Sequence, residues 1–116
     1  MFGPGMTTAE AAFDGREGRI FYRTWEPETP SHRVVVIVHG YAEHSGRYEE
    51  MALWFARRGC AVHAYDQRGH GRSEGVRCHV ERFDEFLGDL GAVVDAVRSE
   101  HPELPLTLVG HSMGGL

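Results

Sequence analysis

The chain has 116 residues, 41% hydrophobic and 25% charged, which suits one small folded domain rather than a disordered tail. Twelve basic residues against seventeen acidic ones give a formal net charge of −5 and a pI near 5.9, which argues against a nucleic-acid partner held by phosphate neutralisation. Cys60 and Cys78 are too few for a disulfide framework and lack the C-x-x-C spacing of zinc or redox motifs. Cys60 sits in an apolar run and reads as a small buried hydrophobe, so a reducing, cytoplasmic setting is expected. Met1 to Glu10 carries no cationic segment followed by an apolar stretch, and the longest apolar run, Val34–Val38, is too short to span a bilayer. Met6 is an alternative start to Met1.

In chain order, residues 9–14 and 19–25 read as two short strands around Gly15-Arg16-Glu17-Gly18. Glu26 to Ser31 carries two prolines and reads as a surface connection. Val34-Val35-Val36-Ile37-Val38 is an unbroken β-branched run, the pattern of a strand buried on both faces. Tyr48, Met51, Ala52 and Phe55 recur at helical spacing, and Gly59 follows as a stop. Cys60 to Tyr65 reads as another strand, and residues 66–80, rich in glycine and charge, as a loop.

From Phe83 the apolar positions Phe86, Leu87, Leu90, Val93, Val94 and Val97 describe a long amphipathic helix. Asp84 and Glu85 suit its positive end, and Pro102 and Pro105 stop it. Leu106 to Val109 is a last short strand. A hairpin followed by β-α-β-α-β predicts an α/β fold with a mainly parallel, helix-covered sheet.

Three segments carry chemistry. Gly110-His111-Ser112-Met113-Gly114-Gly115 matches G-x-S-x-G directly after a predicted strand. A sharp strand-to-helix turn needs glycine two positions either side of its centre, where side chains would collide. Such a turn lifts the Ser112 hydroxyl towards a general base and aims the Met113 N–H at a developing oxyanion. The structural alternative is a glycine-rich turn with an incidental serine. His39-Gly40-Tyr41-Ala42-Glu43-His44 follows the Val34–Val38 strand, where a serine hydrolase needs its second oxyanion donor, here the Tyr41 N–H. His39 itself reads as a strand-end histidine that binds neighbouring loops. Asp66-Gln67-Arg68-Gly69-His70-Gly71-Arg72-Ser73 lacks both glycine patterns of phosphate loops. It reads as a rigid loop held by Asp66–Arg68 contacts.

In this order and at these spacings, the segments resemble the α/β-hydrolase superfamily, and within it monoacylglycerol lipases and related lysophospholipase-like serine hydrolases. The stretch Glu43-His44-Ser45-Gly46-Arg47-Tyr48 carries the narrower likeness. The resemblance runs from about Asp14 to the end of the chain. It implies Ser112 as nucleophile, the Tyr41 and Met113 N–H groups as oxyanion hole, and Glu43, Arg47 and His111 as substrate-binding residues. A loop-stabilising Glu43–Arg47 pair is the structural alternative. Tyr41 stands where a small residue is expected, and its side chain would reshape the acyl entrance.

The resemblance implies a lipid ester as substrate, acyl transfer through Ser112, no metal or organic cofactor, and transient contact with a membrane surface; the acidic charge balance implies no nucleic-acid partner. Another α/β-hydrolase activity (thioesterase, perhydrolase or aminopeptidase-like) and a non-catalytic truncated product are the alternatives. The triad acid and histidine of this fold follow the serine, whereas only four residues follow Ser112 here. Residues 1–8 are therefore read as a flexible N-terminus and 9–116 as the N-terminal portion of a longer hydrolase domain. The 116-residue chain alone is expected to turn over neither p-nitrophenyl butyrate nor monoolein. Turnover that disappears in Ser112→Ala would overturn that expectation.

Overall fold

A computed structural model describes residues 6–15, 18–40, 43–77 and 82–111. Strands β1 (Thr7–Gly15) and β2 (Gly18–Glu26) form an antiparallel pair that runs in register from Thr7 opposite Glu26 to Gly15 opposite Gly18. Strand β1 thus takes in Thr7 and Thr8, which the sequence reading assigned to a flexible N-terminus. Next come β3 (Arg33–Val38), a 3-10 turn (Ser45–Tyr48), α1 (Glu49–Ala56), β4 (Cys60–Tyr65), α2 (Phe83–Glu100) and β5 (Leu106–Gly110). The sheet order is β1-β2-β4-β3-β5. Strand β3 pairs in parallel with β4 and β5, and β2 pairs antiparallel with β4, so the sheet is mixed.

The β-branched run explains the layering. Alternate side chains of a strand leave on opposite faces. Val35 and Ile37 pack with Ala52, Leu53 and Ala56 of α1, whereas Val34, Val36 and Val38 pack with Val93 and Val97 of α2. Burying one such side chain contributes about 1.5–3 kcal/mol relative to leaving it in water. Strand β4 divides the same way: Cys60, Val62 and Ala64 join the α1 layer, Ala61 and Tyr65 the α2 layer. Cys60 is buried and unpaired, as its apolar surroundings imply; Cys78 lies outside the described residues.

Helix α1 ends where expected. The Gly59 N–H donates to Ala56 O at 3.1 Å, and Gly59 holds φ +87, a conformation that costs glycine little. Helix α2 begins with Asp84 and Glu85 in its first turn, and the Arg82 N–H donates to Glu85 Oε1 at 3.2 Å.

The loop after β4 is held differently from the expectation. Arg68 does not turn back to Asp66. Its guanidinium reaches α2 and grips Asp89 at 3.0 Å through both Nε and Nη2, with Nη1 3.1 Å from Glu85. Asp66 instead accepts backbone donors, Ser45 N–H at 2.7 Å and Arg72 N–H at 2.8 Å. The reason is geometric. A planar guanidinium is best matched by a carboxylate presented edge-on, as Asp89 is from the buried face of the helix, while Asp66 is already surrounded by N–H groups.

The Arg68–Asp89 pair is almost wholly buried, so removing one partner leaves a charge in the interior. Asp89→Ala is expected to destabilise the folded protein by about 3 kcal/mol, the low end for a broken buried pair because Glu85 remains. Urea unfolding measures it, and a loss below about 1 kcal/mol would place the pair among surface ion pairs instead.

Candidate active site

Ser112, Met113 and Tyr41 lie outside the described residues. The strand ends that precede them in the chain are described. Val38, the last residue of β3, is in register with Gly110, the last of β5, and the His111 N–H donates to Val38 O at 3.2 Å. The segments that follow both strands therefore leave neighbouring strands at one level, at the carboxyl ends of the parallel strands. Open α/β sheets bind their ligands in the crevice at that end.

His39 is fully buried and takes the structural role. Its Nδ1 lies 2.7 Å from Gly40 O, and its Nε2 accepts the Gln67 N–H at 2.8 Å. Since Nε2 accepts, the proton belongs on Nδ1, which donates to Gly40 O. The Gln67 side chain closes the link by donating to His39 O at 2.7 Å. Burial pushes the imidazole below its ordinary pKa, so the ring stays neutral while it ties the β3 loop to the β4 loop.

Glu43, Arg47 and His111 converge around one carboxylate. Glu43 Oε1 accepts the Tyr48 hydroxyl at 2.6 Å and the Gly40 N–H at 2.9 Å, and it lies 3.6 Å from His111 Nδ1. Arg47 Nε sits 3.9 Å from Glu43 Oε2, one helical turn away. His111 Nδ1 is also 3.3 Å from the Tyr48 hydroxyl, whose own proton points to Glu43. A carboxylate has about four acceptor positions, and Oε1 carries both short bonds. Oε2 faces only the more distant arginine among the described residues.

The sequence reading treated Tyr48 as an apolar helix position. Its ring is indeed in the α1 core, but its hydroxyl forms the short bond that orients Glu43. An aromatic with one polar end satisfies both demands. The remaining support comes from His44 and Ser45. His44 Nδ1 accepts the Gly46 N–H at 3.1 Å, capping the 3-10 turn, and the Ser45 hydroxyl accepts from Arg23 Nε at 3.2 Å.

The Tyr48 hydroxyl, then the Gly40 N–H, hold the Glu43 carboxyl down at about 2 from an ordinary 4.5. Burial and Glu43 push the Tyr48 phenol up to about 12. Glu43 is thus a fixed anion and Tyr48 a fixed donor at neutral pH. A folded value below the unfolded one means that Glu43 contributes stability in full above about pH 4.5. That contribution is lost as pH falls towards 2. In Tyr48→Phe the carboxyl is expected to titrate closer to 4.5, still lowered by Gly40, in an NMR titration of Glu43. No upward movement would mean that the tyrosine does not orient the acid.

Comparison with known proteins agrees with this frame. A family model described as Hydrolase_4, serine aminopeptidase S33, matches residues 29–116. The chain is 47% identical over 110 residues to a monoacylglycerol lipase of Mycolicibacterium smegmatis, covering 94% of this chain and 39% of that protein. It is 43% identical over 96 residues to a human monoglyceride lipase, covering 83% of this chain and 32% of that protein. The chain thus spans about two fifths or less of the length of these relatives. Among solved structures, a thermostable carboxyl esterase from Bacillus coagulans in complex with glycerol superposes with a TM-score of 0.83 at 28% identity. It covers 93% of this chain and 37% of that one. With the β1-β2-β4-β3-β5 sheet, these matches show that the chain belongs to the Hydrolase_4 family and folds as the N-terminal part of an α/β-hydrolase.

Proposed function

We propose that the whole protein is a serine ester hydrolase acting on monoacylglycerols or a similar lipid carboxyl ester. The observation that carries this reading is the in-register end of β3 and β5, where the N–H of His111, the residue before Ser112 in the chain, meets the Val38 carbonyl. The names of the relatives support the substrate class. In this reading the Ser112 hydroxyl attacks the ester carbonyl, and the Tyr41 and Met113 N–H groups receive the oxyanion. Collapse releases glycerol and leaves an acyl-enzyme, which water hydrolyses to the fatty acid and free serine.

Glu43 supplies the polar end of the site. Its anion is already oriented through Oε1, and among the described residues Oε2 faces only Arg47 at 3.9 Å, so Oε2 can accept a substrate hydroxyl, with Arg47 and His111 at the rim. An acceptor held in place before binding loses little entropy when the glycerol arrives. The protein works in the cytoplasm and touches lipid surfaces transiently to collect its substrate. No helix among the described residues is long and apolar enough to cross a membrane.

The test uses the whole protein that carries this chain. Monooleoylglycerol, p-nitrophenyl butyrate, an acyl thioester and an aminoacyl p-nitroanilide are compared; the last is included because the family description names an aminopeptidase. Ester hydrolysis is expected to dominate and to fall by at least about 10³-fold in Ser112→Ala. Glu43→Gln is expected to weaken kcat/KM for monooleoylglycerol by about tenfold, the scale of a hydrogen bond to a charged group, with little effect on the butyrate ester. A preference for the anilide or the thioester would replace the lipid-ester reading.

A further inference from the structure

A second cluster of chemically competent side chains lies away from Ser112. His63 stands on the α2 face of β4, opposite Thr24 of β2 and Val36 of β3. Glu26 ends β2, Glu100 ends α2, and His101 follows it. One donor atom from each of these four residues lies within 4.8 Å of the other three. The spacings are 3.9 Å from His63 Nε2 to Glu100 Oε2, 3.8 Å from His101 Nε2 to Glu26 Oε1, and 4.0 Å from His101 Nε2 to Glu100 Oε2.

These distances are too long for hydrogen bonds, which close at about 2.7–3.2 Å. Both imidazole Nε2 atoms are buried and have no hydrogen-bond partner. The His63 side chain is only 4% exposed, so water does not freely compensate it. A buried nitrogen left this way costs about 1–3 kcal/mol unless something fills the gap. Four donors around a tetrahedral ion, with bonds of about 2.0–2.2 Å, sit about 3.3–3.6 Å apart. Three of the gaps, at 3.8–4.0 Å, are within about half an ångström of that spacing, and the rest lie within 4.8 Å. Glu26 and Glu100 are partly exposed and can close the difference by side-chain rotation.

We propose that Glu26, His63, Glu100 and His101 form a structural site for a divalent transition-metal ion of the Zn²⁺ type. Two imidazoles and two carboxylates suit Zn²⁺, whereas Ca²⁺ and Mg²⁺ favour oxygen ligands throughout. Four protein ligands leave no open position, which marks a structural ion rather than a catalytic one. The location agrees. Helix α2 ends at the amino ends of the parallel strands, and the cluster clasps that end to β2 and β4. The ion would fasten the helix whose Asp89 holds Arg68.

The experiment uses the whole protein, free of any polyhistidine tag and stripped with EDTA, titrated with Zn²⁺ against a chromophoric chelator. One equivalent is expected to bind with micromolar or tighter affinity and to raise Tm. Substitution by Co²⁺ is expected to give the intense visible band of tetrahedral coordination. The double variant Glu26→Gln with Glu100→Gln keeps the core intact and is expected to bind at least about tenfold more weakly, as is His101→Gln. His63→Ala opens the core, so it is read only if its circular dichroism matches the parent. No saturable binding at submillimolar Zn²⁺, or binding unchanged in the carboxylate and His101 variants, would overturn the site.

Discussion

The Asp66 carboxylate is the constraint on which the described site depends. It sits at the end of β4 with no exposure to solvent, where an unpaired anion is costly. Its two oxygens accept the Ser45 and Arg72 N–H groups, its own N–H donates to Phe21 O at 2.8 Å, and its carbonyl accepts the Ser73 hydroxyl at 2.6 Å. The Ser73 hydroxyl in turn accepts the Phe21 N–H at 2.8 Å. One residue thus joins β2, the turn before α1 and the glycine-rich loop. Gly71 holds φ +50, and a methyl group there would lie on the Asp66 carboxylate, so the loop can close only over a glycine. Since Ser45 lies between Glu43 and Tyr48, fixing Ser45 also fixes the spacing at which the phenol meets the acid.

The sheet supplies the second half of that geometry. Strand β3 is buried on both faces and hydrogen-bonded on both edges, to β4 and β5, so a slip in register would have to break both ladders and draw the charged Arg33 towards the interior. A fixed register puts Val38 beside Gly110, and the His39–Gln67 bonds carry that order into the loops. Rigid strands set the level, and a charged hydrogen-bond network sets the loops above them. Catalysis by positioned N–H groups demands such rigidity, because an oxyanion donor misplaced by an ångström loses most of its effect.

Local patterns in the sequence reached most of this. The β-branched run, the helical spacing from Phe86 to Val97 and the stop at Gly59 depend on neighbours along the chain, and each element formed within two or three residues of its expected bounds. Glu43 and Arg47 are one helical turn apart, so their pairing was legible too. Contacts set by the tertiary fold were not. The expected Asp66–Arg68 contact lies within one loop, yet the partner of Arg68, Asp89, stands 21 positions away on a helix. The hydroxyl of Tyr48 was invisible behind its apolar ring, and His63 looked like one more residue of a buried strand. Only the antiparallel return of β2 and the end of α2 bring Glu26, Glu100 and His101 to it.

The two clusters occupy opposite ends of one sheet, and their chemistry differs accordingly. At the carboxyl ends of the parallel strands, Glu43 is held by donors through one oxygen, and among the described residues the other faces only Arg47, which is what a binding group needs. At the amino ends, the buried Nε2 atoms of His63 and His101 have no hydrogen-bond partner among the described residues, which is tolerable in a packed interior only if something else meets them. Helix α2 spans the distance between these ends. Its first turns carry Glu85 and Asp89, which fix the Arg68 loop; its last residue, Glu100, lies beside His63. A ligand that fastened the far end of α2 would therefore act on the loops through the helix as a rigid body. It would do so without touching the substrate or the serine, which separates the tasks of stabilising the sheet and performing chemistry on it.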